Sequence, residues 1–210
     1  KEIRENQQKT IKEEERWSIE WKVKHSYRVT EMGKKIAKKE NGVRLEMNRV
    51  ETVCLLHDIG RFRQVLRGSF SDDETRVNHA RLGAKIVEEA GFDEEIVEAV
   101  REHNNPNYGG SNSYAKLVRD ADQLTIISEL ERQMASFSEE CILSKEVADK
   151  FRAGEIIDSK NVCGLKEWLL EVYSWQRHFF FEASGKILIE DGWKERLEKE
   201  IRELGMGYLL

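Results

Sequence analysis

Proline and cysteine are scarce in this chain. Its 210 residues include one proline, Pro106, and three cysteines, Cys54, Cys141 and Cys163. The cysteines are odd in number, far apart and without metal-ligand spacing, which argues against both a disulfide framework and a cysteine-ligated metal. We therefore expect three reduced thiols, each a small core residue, in a cytoplasmic protein.

Long apolar runs and clusters of positive charge are also missing. No run approaches the roughly 20 apolar residues that a membrane span requires, and the first residues are polar rather than signal-like. The net charge is −5, with lysine and arginine interspersed among acids. A protein that binds nucleic acid polymers usually carries a basic stripe, so we expect neither a nucleic acid polymer nor a membrane as partner.

What the chain has in abundance is helix-forming residues. Charged residues make up 36% of it and hydrophobic residues 39%. With few residues that break helices, this composition predicts an all-α fold, organised as a single domain over 1–210. The predicted helices cover 1–20 as an amphipathic lead-in, a segment continuing from Trp21, then 45–57, 78–90, 93–103, 112–135, 145–152, 165–179 and 193–204.

Four of the five histidines fall on apolar helix faces or at helix ends. His25 recurs with Trp21, Val29 and Met32 on one face, and His57 with Asp58 ends the second helix. His79 and His103 lie on later helices, while His178, beside an aromatic run, is expected to be a packing or surface residue. One inward histidine is usually a core residue, but four on separate helices predict a metal site in a helix bundle.

The acids near these histidines complete a ligand set. Asp120 and Asp122 lie about 100° to either side of Ala121 on a helix, so periodicity leaves open which one points inward. Imidazole and carboxylate ligands suit Fe, Mn, Zn, Ni or Co better than Mg or Ca. Six ligands are too many for one ion with an open position, whereas two ions bridged by Asp58 would use them all.

The segment after the His57-Asp58 pair is basic. Residues 60–75 are rich in arginine, glycine, serine and aspartate, which predicts a short helical turn and then a mobile loop. Arg61, Arg63, Gln64 and Arg67 could hold an anionic substrate there, or they could form a solvated basic surface. We favour Arg61, three residues after Asp58, for the substrate role.

Over about residues 20–130 the sequence resembles the HD-domain superfamily of metal-dependent phosphohydrolases. The resemblance rests on His25 in HSYRV, His57-Asp58 in LLHDIGRF, His79 in NHARLGAKIV, His103 in REHNNP and Asp122 in DADQL. The family usually places its last ligand in an Ala-Asp-x-Leu context, which favours Asp122 over Asp120. His79 and His103 match the two additional histidines of the subset that binds two metals.

The resemblance implies a division of labour among these residues. His25, His57, Asp58 and Asp122 would ligate one ion, and Asp58 would bridge to a second ion held by His79 and His103. Arg61 would neutralise the phosphate, and Arg28, one turn beyond His25, would assist it. The implied architecture is an HD-like helical core over 20–130, followed by a helical cap or extension over 138–210 that could serve in a homodimer.

The implied activity is hydrolysis of a nucleotide or another small phosphate ester, by attack of metal-bound hydroxide on phosphorus. Two divalent ions are expected, with Fe or Mn ahead of Zn, Ni, Co or Mg. Two other functions use the same ligands: a di-iron oxygenase of the HD-domain type and a non-catalytic metal or nucleotide sensor. Oxygen-dependent substrate loss would identify the first, and metal binding without turnover the second.

Overall fold

The chain folds into helices arranged as a bundle with a helical extension. The computed structural model describes residues 13–66, 69, 71–138 and 141–210, with the side chains of 13–18 and of 161 left out. The described residues include helices and no strand, which confirms the predicted all-α class. No described helix combines the length and the apolar character needed to cross a membrane.

The helices of the bundle follow one another with short connections. They are α1 (Glu13–Lys39), α2 (Met47–Leu56), α3 (Ile59–Val65), α4 (Asp72–Thr75), α5 (His79–Glu89), α6 (Glu94–Glu102), α7 (Ser113–Ser128) and α8 (Leu130–Met134). Residues 1–12 of the predicted lead-in lie outside the described residues. Its remainder joins the next predicted helix in α1, which packs mainly against α2 and α7.

The extension consists of α9 (Lys145–Ala153), α10 (Leu165–Trp175), α11 (Glu182–Glu190) and α12 (Trp193–Glu203). One buried cluster runs from Val29 and Val50 in the bundle through Leu117 to Leu169 and Ile187 in the extension. The extension therefore packs on the bundle through a shared apolar interior. The division into a core over 20–130 and an extension over 138–210 stays a prediction.

Polar side chains cap the N-termini of three helices that carry site residues. Asn78 accepts a hydrogen bond from the Arg81 amide at 2.8 Å and caps α5. Asp93 caps α6 through the Ile96 amide, and Asn112 caps α7. Such caps satisfy amides that have no partner within the helix, which explains why these helices begin where they do.

A close crossing of two helices sets the position of the His57-Asp58 pair. A Cβ atom added at Gly60 would lie 2.0 Å from the backbone oxygen of His79 and 2.8 Å from the Gly83 nitrogen. Only glycine permits this approach of α3 to α5. The crossing brings the residues just before α3 next to the first residue of α5.

Several helix predictions were wrong in detail. The predicted helix over 112–135 is interrupted at Glu129, where the backbone leaves the α region; the hydroxyls of Thr125 and Ser128 bind carbonyls of α7, a competition that bends helices. The helix predicted to reach Phe179 ends at Trp175 and continues as a 3-10 turn. Helices α4 and α11 were not predicted. Helix α4 has only four residues, and the start of α11 is held by Asp120, 64 positions away.

The prediction of three free thiols was also wrong. Cys141 and Cys163 form a disulfide with their Cα atoms 6.2 Å apart, and Cys54 alone is free and buried. Wide sequence spacing does not prevent pairing when the fold brings two segments together. The bond ties the segment that precedes α9 to the one that precedes α10. The cytoplasmic location was inferred from three free thiols, and the disulfide removes that ground. The location therefore stays a prediction.

Candidate metal centre

The histidines and acids singled out by the sequence converge at one end of the bundle. Each comes from a different position in the fold: His25 from α1, His57 and Asp58 from between α2 and α3, His79 from the start of α5, His103 from the end of α6 and Asp122 from α7. The four histidines and Asp58 are at most 4% exposed. Burial of so many polar groups is costly unless they have a shared partner.

The first group of metal-ligating side chains is His25, His57 and Asp58. Each can offer one ligand atom, and these atoms lie within 4.8 Å of one another. Asp122 adjoins this group: its Oδ1 is 2.9 Å from Nε2 of His25 and 3.9 Å from Nε2 of His57. Four side chains can thus face one cation.

The second group is Asp58, His79 and His103. Asp58 belongs to both groups and uses a different oxygen in each. Its Oδ2 lies 3.5 Å from Nε2 of His57, while its Oδ1 lies 3.4 Å from Nε2 of His79 and 3.8 Å from Nε2 of His103. A carboxylate placed between two sets of donors in this way can bridge two cations.

The hydrogen bonds of the imidazoles indicate that a cation fits. Nδ1 of His57 donates to the Cys54 carbonyl at 2.7 Å, and Nδ1 of His103 donates to the Val100 carbonyl at 2.8 Å. Nε2 of each ring is therefore the nitrogen available to bind a cation. Nε2 of His57 is buried without a hydrogen-bond partner. Nε2 of His79 and of His103 are 3.2 Å apart, a separation suited to two nitrogens bound to one cation at about 2.1 Å each.

The carboxylates of the site are held in the ionised form that a metal requires. Burial opposes ionisation of Asp58, but Lys22 and His57 outweigh burial and keep its pKa well below the usual range. Burial is likewise outweighed at Asp122, where His25 and His57 lower the pKa. Burial and the neighbouring imidazoles lower the pKa of His103 to about 3, so this ring is neutral and able to bind a cation.

Two residues that contact the candidate ligands, Lys22 and Asp72, were not predicted from the sequence. The Lys22 ammonium forms an ion pair with Oδ2 of Asp58. It lies three residues before His25 on α1, and this helical spacing is the signal that could have revealed it. The second is Asp72, in a segment that was predicted to be a loop.

Asp72 connects the metal ligands to the basic segment. Its carboxylate accepts from Nδ1 of His79 at 2.9 Å, from Nη1 of Arg61 at 2.9 Å and from Nε2 of Gln64 at 2.7 Å. A carboxylate on Nδ1 leaves Nε2 of His79 free for a cation and fixes the ring orientation. The pattern Ser71-x-x-Glu74, a helix-start signature, was the available signal.

The predicted basic residues have different environments. Arg61 lines the cavity next to the site, with its Nε 3.6 Å from Oδ1 of Asp58. Gln64 is fully buried and donates to Asp72 and the Val77 carbonyl, which leaves it no contact with a substrate. Arg63 is exposed, and Arg67 lies outside the described residues.

Arg28 does not reach the site. It forms an ion pair with Glu129, where α7 ends, and it is not among the residues that line the cavity. The assisting role that the family resemblance implied for Arg28 has no support in these contacts. Its place one turn beyond His25 directs it along α1, away from Asp58.

The two aspartates left open by periodicity have distinct partners. Asp122 faces the histidines, whereas Asp120 is fully buried on the side of the extension. Asp120 accepts hydrogen bonds from the amides of Phe180 and Phe181 at 3.0 Å each and from the Ser184 hydroxyl at 2.8 Å. It thereby holds the start of α11, and burial raises its pKa to about 6.

Five of the six candidate ligands, all except the fully buried His57, line a cavity of about 1120 Å³. Its wall carries the cations Lys22, Arg61, Arg76, Arg81, Arg101 and Lys160, and the aromatic residues Trp21, Phe137, Trp168 and Trp175. Trp168, Trp175 and Lys160 belong to the extension, so the extension covers the site. The cavity is large enough for a small organic molecule.

The sequence was compared with known proteins. Residues 23–127, half of the chain, match the family model described as HD domain, and the matched segment contains all six candidate ligands. No curated protein and no solved structure matches the chain. The match ends at residue 127, before the extension begins.

Proposed function

The chain belongs to the HD domain family, and from this premise we propose that it is a metal-dependent phosphohydrolase that acts on a nucleotide or another small phosphate ester. The observation that carries the proposal is the pair of donor groups that share Asp58 at the wall of a large cavity. Two divalent ions bound there would supply Lewis acidity and a water of lowered pKa. We propose Fe or Mn as the ions, because imidazole and carboxylate ligands suit them.

The residues of the chain have separate tasks in this proposal. His25, His57, Asp58 and Asp122 hold one cation, and Asp58, His79 and His103 hold the other. Asp72 orients His79 through its Nδ1. Hydrogen bonds at Nδ1 orient the rings of His57, His79 and His103 before a metal arrives, which reduces the reorganisation that binding requires.

The cations around the cavity would bind the phosphate. Arg61 is tethered by Asp72 and Gln64, and its guanidinium lies near Oδ1 of Asp58, where it neutralises negative charge on a substrate beside the ligands. Lys22 contributes a second charge through its contact with Asp58. Charge neutralisation and positioning are the main protein contributions to phosphoryl transfer.

The experiment is metal analysis of the purified protein combined with a phosphatase panel. The protein is stripped with a chelator, reconstituted with Mn²⁺, Fe²⁺, Zn²⁺, Ni²⁺, Co²⁺ or Mg²⁺, and assayed with p-nitrophenyl phosphate and nucleoside monophosphates. We expect hydrolysis that requires added metal and a stoichiometry near two ions per chain. Oxygen-dependent substrate loss without phosphate release would refute the proposal in favour of an oxygenase, and metal binding without any turnover would favour a sensor.

A further inference from the structure

A second cavity, of about 240 Å³, adjoins the metal centre and has no role in the chemistry described above. His103, Asp122 and Trp175 line both this cavity and the larger one. We call the second cavity the inner lobe. The residues that line it without lining the larger cavity include Arg119, Gln123, Glu171 and His178.

The inner lobe lies between α7 and the end of α10. Arg119, Gln123 and Ile126 follow at steps of four and three on α7, so they share one face of that helix. Glu171, Trp175 and His178 follow at four and three on α10 and the 3-10 turn after it. Two helical stripes, one from the HD core and one from the extension, therefore form its opposite walls.

Three polar groups at this lobe have no hydrogen-bond partner. Arg119 is only 6% exposed, and its guanidinium stacks on the Phe180 ring at 5.1 Å. Among the described residues no side chain or carbonyl accepts a hydrogen bond from it, and its electrostatic partner is the neighbouring Asp120. Oε1 of Gln123 and Nε2 of His178 are both buried and unpartnered. Buried polar atoms are normally satisfied, so two such atoms beside an Arg119 guanidinium without a hydrogen bond indicate a ligand that supplies the missing partners.

The hydrogen-bond donors and acceptors of the lobe indicate which groups a matching ligand must carry. Arg119 donates only. Burial lowers the pKa of His178, and its ring binds the Gly154 carbonyl, so the neutral ring holds its proton on Nδ1 and offers Nε2 as an acceptor. The Gln123 amide both donates and accepts. The matching group must therefore carry a hydrogen-bond acceptor for Arg119 beside at least one N–H donor.

The charges argue against a second phosphate or carboxylate in the lobe. Arg119 is the one arginine or lysine among the described residues that line it, whereas Asp122, Asp158 and Glu171 are acids. Burial raises the pKa of Glu171 to about 7, and Asp158 adds to this effect. A neutral polar ligand avoids repulsion with Asp122 and Asp158 and matches the partly protonated Glu171. The apolar side chains of Pro106, Ile126 and Ile156 suit a planar ring.

We propose that the inner lobe binds the non-reacting end of the substrate, and that this end is a planar heterocycle with a carbonyl oxygen beside an N–H group, as in guanine, hypoxanthine and uracil. The proposal rests on the phosphohydrolase function for the position of the phosphate, which occupies the larger cavity. Arg119 donates to the carbonyl, and Gln123 or His178 accepts from the ring N–H. These side chains determine specificity and take no part in the chemical step.

The test measures nucleoside binding to the full chain without metal, by quenching of tryptophan fluorescence and by calorimetry. Guanosine, inosine and uridine present the carbonyl beside N–H, and adenosine does not. We expect one or more of the first three to bind at least about tenfold more tightly than adenosine, because a mismatched ring leaves buried polar groups unpaired. Arg119→Met and Gln123→Leu should each remove most of this preference.

Arg152→Met is the matched control, since Arg152 also stacks on an aromatic ring, that of Tyr208, but is half-exposed and does not line the lobe. It should keep the preference. Circular dichroism and metal titration of each variant separate loss of binding from loss of folding. If Arg119→Met does not fold, Gln123→Leu carries the test.

The outcomes separate this proposal from the phosphohydrolase function. Hydrolysis of p-nitrophenyl phosphate by a protein that binds no nucleoside, or binds all of them equally, would refute the heterocycle pocket and leave the hydrolase function intact. Binding of inorganic phosphate that Arg119→Met abolishes would also refute it, by showing an anion site. Selective nucleoside binding by a protein that hydrolyses nothing would support the pocket and refute the hydrolase.

Discussion

The metal centre and the extension both bury carboxylates, but the two regions give them different partners. Asp58 and Asp122 face imidazoles and the Lys22 ammonium, and these ligand atoms converge on a cavity. Glu167 in the extension accepts instead from the amides of Ser144 and Cys163 at 2.8 and 2.9 Å. A buried acid among ionisable side chains can exchange its partners for a cation, whereas one bound to backbone amides holds two chain segments together.

Asp58→Asn gives the largest expected effect. An amide cannot bridge two cations, so both sites should lose metal and activity should fall to background. Asp120→Asn should destabilise the fold by about 1–3 kcal/mol, because it weakens the hydrogen bonds to α11, yet keep its metal. Metal content is measured by mass spectrometry of the purified variants. Full metal occupancy in Asp58→Asn would contradict the bridging role of Asp58. Loss of metal from Asp120→Asn would show that Asp120, and not Asp122, is the acid that binds the metal.

Reduction of the disulfide should affect the extension and spare the metal centre. The bond between Cys141 and Cys163 closes a loop across 22 positions, for which the chain-entropy model expects about 3 kcal/mol of stability. A Cys141→Ser, Cys163→Ser double variant should unfold at lower denaturant concentration than the oxidised protein. Metal affinity should be unchanged; a large decrease would show that the two regions are coupled more tightly than their contacts indicate.

Asp72→Asn tests whether a residue behind the ligands belongs to the metal centre. The amide oxygen can still accept from His79, but the negative charge that supports the imidazole is gone. We expect the metal affinity at the His79 and His103 group to fall about 10–100-fold. Metal titration followed by calorimetry measures this change. An unchanged metal affinity would show that Asp72 only stabilises the α4 segment and does not support metal binding by His79.

Glu171→Gln should have the smallest effect, a change in the pH dependence of stability. It allows two buried carboxylates of α10, Glu171 and Glu167, to be compared. Burial raises the pKa of Glu171 to about 7, so the folded state binds an extra proton and the free energy of unfolding should decrease as pH rises from about 4.5 to 7. The variant lacks this decrease and should be more stable than wild type at pH 8, on the order of 2 kcal/mol. Urea unfolding at several pH values measures the difference.

Glu167→Gln is the matched control for that measurement. Hydrogen bonds from Ser144 and Cys163 outweigh burial and lower the pKa of Glu167, so its contribution to stability is present above pH 4.5 and is lost as pH falls through the folded pKa. At pH 8 Glu167→Gln should therefore be less stable than wild type. The same sign for both variants would contradict the distinction drawn between the two carboxylates.

Helical periodicity and residue chemistry were enough to single out the histidines and Asp58 that the fold brings together as a candidate metal centre. The apolar stripes that contain His25 and His103, and the helix end at His57, are local properties that a sequence displays directly. The all-α class and the family resemblance were confirmed. The choice of Asp122 came from its motif context, since the helical period leaves two neighbouring acids equivalent.

The contacts that join distant segments were decided by the tertiary structure alone. Asp72 on Nδ1 of His79, the pairing of Cys141 with Cys163, the ion pair of Arg28 with Glu129 and the capping of α11 by Asp120 all depend on how the helices pack. The sequence by itself determined which side chains could hold a metal, because helical spacing and ligand chemistry are local. Only the fold decided which polar groups support them and which face the inner lobe, because those partners meet through packing across the chain.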